Sequence, residues 1–237
     1  MTKHAIFDLD GTLVDSVSVC TEIMNAMLAD RGSARRLAIE EARPYVSLGG
    51  IHMIAALLGD ECRDPDREII DFRARYAEMP TPPGSVYPGV REGLEQLSDW
   101  DITLSVCSNK PQPLCEKVLI DLDLRRLFAA VVGGAPGIPA KPEPALLHMA
   151  LARSGCALEN SCFIGDGESD HALARRVGIP FVFVAYGYAN PNWNFSDALS
   201  CDSFDAVPRL IRNALFRAGS ETGFGAVLHN SLRKRRD

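Results

Sequence analysis

The sequence predicts an α/β protein: a doubly wound parallel sheet with an all-helical unit inserted after its first strand. Three observations carry that prediction. Short, continuously apolar runs recur along the chain with helical segments between them, as in strands that are covered by helices on both faces. The gap between the first run and the second is about ninety residues, far more than a single crossover requires. Within that gap the apolar residues recur at helical spacing and no strand-like run interrupts them. A length of 237 residues allows one large domain or two smaller ones, so the pattern has to decide.

In chain order, the first strand is read in "AIFDL" (5–9). From Ser16 to about Tyr76 the helical spacing lies in "VCTEIMNAMLAD", "IHMIAALLG" and "REIIDFRARYAEM". The outgoing joint of this unit is "VDS" at 14–16. The return joint is "MPTPPGSVYPG", whose Pro and Gly suit a semi-rigid hinge. A helix then opens behind Pro88 and Gly89, followed by strands in "ITLSVC" (102–107) and "FAAVVG" (128–133). "KPEPALLHMALARSG" starts a helix behind prolines and stops it at Gly155, before strands in "SCFIG" (161–165) and "PFVFVA" (180–185). The expected division is a core of 1–15 and 84–220, a helical unit of 16–83 and a tail of 221–237.

Composition narrows the partners. A formal net charge of -6 and a pI near 5.4 speak against nucleic acid or an anionic membrane, both of which need clustered cations. The basic run Arg233, Lys234, Arg235, Arg236 reads as a solvated tail. Seven cysteines with no CxxC pair suggest neither a zinc knuckle nor a disulfide framework, and reduced thiols fit better. The N-terminus lacks the apolar core of a signal peptide, and no apolar stretch approaches the ~18 residues of a membrane span. The expectation is a cytoplasmic protein acting on a small solute.

In open α/β sheets ligands collect at the carboxyl ends of the strands. There this chain carries Asp8 and Asp10, then Ser108, Asn109 and Lys110, then Lys141, then Asp166 and Asp170. Side chains two apart on an extended strand point the same way, so Asp8 and Asp10 are expected to share one face. Carboxylates that close repel unless a cation or a shared proton relieves them. Acids with no His or Cys at ligand spacing favour a hard cation, Mg²⁺ before Zn²⁺. Lys141 and Ser108 offer an ammonium and a hydroxyl for phosphoryl oxygens, and Gly11 and Thr12 are expected to expose backbone N–H groups to an anion. Together these make a phosphoryl-transfer site.

"DLDGTLVDS", "SNK", "KPEP" and "GDGESD", in that order and spacing, resemble the haloacid dehalogenase superfamily, and within it the helical-capped phosphatases of the phosphoglycolate phosphatase type. The resemblance runs from Lys3 to about Phe216. It implies a Rossmann-like core, a cap inserted after the first strand, and Mg²⁺. It implies Asp8 as the nucleophile and Asp10 as the acid and base, an aspartate that dehalogenase members lack. Metal ligands would be Asp8, Asp166 and the backbone carbonyl of Asp10, with Asp170 orienting metal waters. Ser108 and Lys141 would hold phosphoryl oxygens, with Lys141 also offsetting the negative charge of Asp8 and Asn109 standing beside them. His52, beside Gly49 and Gly50, falls where family members place substrate-reading residues, and Arg43 and Arg73 are weaker guesses of the same type. The implied substrate is a small phosphorylated metabolite, phosphoglycolate first and a sugar phosphate second. Alternatives are a phosphomutase of the β-phosphoglucomutase type and a non-catalytic regulatory protein. Phosphonate cleavage is disfavoured because it uses a cap lysine, and residues 16–76 contain none. Two departures stand out: Gly167 where the family often has Ser or Thr, and "SLGGIHMI" in the cap loop.

Overall fold

The apolar runs pair into one parallel sheet. In the computed structural model, which describes residues 2–46, 49–190, 192–193 and 198–217, the strands are β1 (Lys3–Phe7), β2 (Ile102–Pro111), β3 (Ala130–Gly134), β4 (Ser161–Gly165), β5 (Phe181–Val184) and β6 (Leu199–Cys201). Their order is β3-β2-β1-β4-β5-β6 and every pairing is parallel, so the connection reverses direction between β1 and β4. The basic run Arg233–Arg236 and His229 lie outside the described residues.

The apolar runs are continuous because both faces are covered. Along β1, Ala5 and Phe7 join one hydrophobic cluster while Ile6, between them, joins the other, and all three are fully buried. Covering helices are α5 (Val90–Asp99), α6 (Gln112–Asp121), α7 (Ala145–Ser154), α8 (Glu168–Val177) and α9 (Val207–Arg217). The helix α7 ends at Gly155, as its sequence predicts.

Two expectations need correction. The first strand begins at Lys3 and ends at Phe7, because Leu9 O accepts the N–H groups of Thr12, Leu13 and Val14 and curls the chain just past Asp8. A sixth strand, β6, was not expected; its three residues are too few to show a pattern, and Leu199 and Ser200 are exposed at the sheet edge.

Between β1 and α5 the chain forms α1 (Val17–Asp30), α2 (Ile39–Val46), α3 (Gly50–Leu58) and α4 (Pro65–Glu78). The helix α4 starts where Pro65 supplies a preset φ and the Asp64 carboxylate accepts the N–H groups of Asp66 and Arg67. Met24, Met27, Leu28, Ile54, Leu57, Leu58, Ile69 and Phe72 bury the facing sides of these helices. The two joints are zipped together: Val14 bridges Val86 antiparallel, Asp15 N–H donates to Ser85 O (2.7 Å) and Tyr87 N–H to Leu13 O (3.2 Å). Asp121 of α6 accepts the Thr81 N–H at 2.8 Å, so the return joint is also fastened to the sheet side.

Candidate active site

The site forms where the sheet reverses direction. Asp8 is the first residue beyond β1, and its N–H donates to Ile164 O of β4 at 2.9 Å, which holds it beside the end of that strand. Asp166 follows β4 directly, and Asp170 lies in the first turn of α8, where its carboxylate accepts the Gly167 N–H (3.3 Å). Carboxylate oxygens of Asp8, Asp166 and Asp170 lie within 4.8 Å of one another. Each oxygen of Asp166 is aimed: Thr12 Oγ1 donates to Oδ1 (2.9 Å) and Tyr188 N–H donates to Oδ2 (2.7 Å).

Two glycines make this approach possible. A Cβ on Gly11, which has φ 82°, would sit 2.1 Å from Asp166 Oδ2, and one on Gly187 would sit 2.3 Å from Asp166 Cβ. The backbone N–H groups of Gly11 and Thr12 are not offered to an anion. They donate to Val14 O (2.9 Å) and Leu9 O (3.4 Å) inside the turn, and Thr12 is fully buried with its hydroxyl on Asp166. That corrects the expectation of a backbone anion site: a turn tight enough to place Asp166 consumes its own donors.

Lys141 is the counter-charge of the triad. Its side chain is 1% exposed, and the ammonium lies 2.7 Å from Asp170 Oδ1 and 2.9 Å from Asp8 Oδ1. Asn109 sets its backbone, accepting the Lys141 N–H (2.7 Å) and donating to its carbonyl (3.2 Å). Burial works against the Lys141 charge, but Asp170 and Asp8 outweigh it and push the ammonium upward. Burial pushes Asp166 well above the carboxylate range, helped by Asp8 and Asp170. Burial also pushes Asp170 up, to about 6, against the pull of Lys141. One ammonium thus faces three crowded acids. Asp8 Oδ1 is buried and receives no hydrogen bond, Lys141 standing off the bonding direction. An all-oxygen donor set with surplus negative charge and an orphaned oxygen fits a hard divalent cation.

Asp10 belongs to a separate group. Its carboxylate takes Lys110 Nζ at 3.1 and 3.2 Å and the Ser16 hydroxyl, and lies outside the triad. Burial opposes the Lys110 charge, Asp10 more than restores it, and the Tyr76 ring of α4 covers the ammonium at 4.0 Å from its centroid. Asp8 and Asp10 therefore line one cavity through different partners. The cavity, about 470 Å³, also reaches Ser108, Asn109, Lys141, Asp166 and Asp170, and its far wall is the helical insertion, with Gly50, His52, Arg73 and Tyr76.

Tyr188 has no counterpart in the sequence reading, and Arg43, expected near the substrate, is paired with Asp15 instead and does not line the cavity. Tyr188 links the site to the joint: its hydroxyl donates to Asp15 Oδ1 (2.7 Å) and accepts the Ser16 N–H (2.8 Å). Arg43 of α2 pairs with Asp15 Oδ2 at 3.0 Å. Lys110, Ser16 and Asp15 lie inside the motifs and Tyr188 outside them, but their pairings could not be read from the sequence because the partners are 6 to 173 residues away.

A 30% identical relative, the phosphoglycolate phosphatase of Rhodobacter capsulatus, aligns over 89% of this chain and 97% of its own length. The crystal structure of a predicted phosphoglycolate phosphatase from Haemophilus somnus 129PT superposes with a TM-score of 0.74, at 24% identity, over 88% of this chain and 97% of that one. The β-phosphoglucomutase of Clostridium difficile has the same fold, with a TM-score of 0.71 at 15% identity, over 93% of this chain and all (100%) of its own. The family model for haloacid dehalogenase-like hydrolases matches residues 5–184, and the chain belongs to that family.

Proposed function

We propose that this chain is a Mg²⁺-dependent phosphatase of small phosphomonoesters, phosphoglycolate foremost, working through an aspartyl-phosphate. The observation that carries this is the division of labour at the end of β1: Asp8 lies with the acid triad and Lys141, while Asp10 is held apart by Lys110 and Ser16.

Asp8 attacks phosphorus through a carboxylate oxygen as the ester P–O bond breaks. Asp10 gives the departing alkoxide its proton. In the second half Asp10 takes a proton from the water that attacks the same phosphorus. The Asp8–phosphorus bond breaks, releasing inorganic phosphate and restoring Asp8. Lys141 and Ser108 hold phosphoryl oxygens, and Asn109 fixes the loop that carries Lys141. The metal would be held by Asp8, Asp166 and the Asp10 carbonyl, with Asp170 behind them. When bound, it offsets charge on the transferring phosphoryl group. Residues 16–83 serve as a cap that excludes water and reads the leaving group through His52 and its neighbours.

Phosphate release from a panel of small phosphomonoesters tests this, with Mg²⁺ or EDTA, for the wild type and Asp8→Asn. The expectation is metal-dependent release that falls at least ~10³-fold in the variant. No release from any ester by the folded wild type would overturn the reading. A requirement for a sugar bisphosphate activator would favour the mutase chemistry available to the same fold.

A further inference from the structure

The site holds two buried lysines, and the phosphatase reaction as derived uses one of them. Lys141 is committed to Asp8 and Asp170. The side chain of Lys110 is 8% exposed; its ammonium touches both oxygens of Asp10 and the face of Tyr76, and the residue lines the cavity on the side of the insertion. The other basic residues lining that side, His52 and Arg73, are exposed.

The difficulty lies in what Asp10 must do. To hand a proton to the ester oxygen its carboxyl group must turn to that oxygen, and in doing so it stops serving as the anion beside Lys110. A buried ammonium stripped of its anion is costly. The cost disappears when the leaving group brings an anion of its own. With Asp10 at hydrogen-bonding distance from the ester oxygen, that oxygen lies roughly 4–6 Å from Lys110 Nζ. A carboxylate joined to the ester oxygen through one methylene spans that gap. A neutral alkyl chain fills it and leaves the ammonium unpaired.

We propose that Lys110 is the specificity-determining residue for an anionic leaving group: its ammonium passes from Asp10 to the substrate's carboxylate as Asp10 turns to the ester oxygen. The inference rests on the phosphatase reading above. Tyr76 keeps the ammonium in place during the exchange, and since it belongs to α4 it ties the exchange to the insertion.

The test compares kcat and KM for 2-phosphoglycolate and ethyl phosphate in Mg²⁺-loaded wild type, Lys110→Met and Lys110→Arg, with circular dichroism to confirm folding. Lys110→Met should lose about 100-fold in kcat/KM on phosphoglycolate, mostly through KM, and no more than about 10-fold on ethyl phosphate. Lys110→Arg should recover part of the preference. In the wild type alone, glycolate should inhibit competitively at concentrations at least about 10-fold below those needed of ethanol, which keeps the proposal testable if a variant fails to fold. Equal losses on both esters, or equal inhibition by glycolate and ethanol, would overturn the role of Lys110 and leave the phosphatase reading standing. Hydrolysis of neither ester nor any other phosphomonoester would overturn both.

Discussion

The ends of the strands and the helical insertion face each other across one cavity, and they are built on opposite terms. On the sheet side the charged groups are buried or half-buried and most have an assigned partner: Asp166 between Thr12 and Tyr188, Lys141 between Asp8 and Asp170, Asp10 between Lys110 and Ser16. On the insertion side Met53, Phe72 and Tyr76 form a buried apolar backing, but the basic groups facing the cavity, His52 and Arg73, are exposed. The contrast teaches where precision is needed. Groups that exchange bonds with phosphorus must be preorganised on rigid elements. Groups that read the remainder of a substrate can sit on a wall that adapts, at less cost in stability.

Breaking the sheet side should have the largest effect. In Gly187→Ala the new methyl group would stand 2.3 Å from Asp166 Cβ and 2.5 Å from Gly11 O, so the carboxylate must move. Metal-dependent activity should fall at least ~100-fold, with a loss of about 1–3 kcal/mol in chemical denaturation. Wild-type metal affinity in the variant would show that the triad tolerates displacement.

The sheet is also where acid should act. His4, fully buried in β1 between Ser105 and Ser161, has its pKa lowered by burial from 6.5 to about 4. Its unfolded form binds a proton first, so the stability tied to neutral His4 is complete above pH 6.5. That stability is lost as pH falls from 6.5 toward 4, and no more is lost below. Over that window the loss is roughly 3 kcal/mol. Asp170, raised by burial to about 6 without a metal, acts with the opposite sign in an overlapping range, and Asp166, also raised, acts with that same opposite sign. The difference between the wild type and His4→Gln, measured by urea unfolding at each pH, isolates the histidine. A difference that does not change with pH would refute it.

The seam between the two regions should show an intermediate effect. Tyr188→Phe removes the hydroxyl that joins Asp15 to the Ser16 N–H, while Arg43 still pairs with Asp15 from α2. We expect about a 10-fold loss in kcat/KM and roughly 1–2 kcal/mol in stability. An unchanged rate would show that the joint does not feel this link. The smallest effect belongs to the insertion: His52→Ala should change KM by no more than about 5-fold with kcat unchanged. A large kcat loss there would break the division between chemistry and reading.

Spacing alone marked the apolar strands, the helical insertion and the acids at the strand ends, because periodicity and the position of charge at the end of an apolar run are local properties. The short edge strand β6 escaped because three residues carry no period. Thr12 was misjudged for a different reason. In the sequence it sits in a Gly-containing turn suited to an anion, whereas in the fold that turn faces inward and spends its donors on itself and on Asp166.

By itself the sequence determined the α/β plan, the place of the insertion and the residue types available for phosphoryl chemistry. Burial pattern and strand-end position follow from the order of side chains along one chain. Only the tertiary structure decided that Lys110 serves Asp10 and that Lys141 is shared between Asp8 and Asp170. Asp8 and Lys141 meet through the alignment of strands distant in sequence, and so do Asp10 and Lys110. Electrostatic partnership depends on distance and burial, which arise when the sheet assembles and not before.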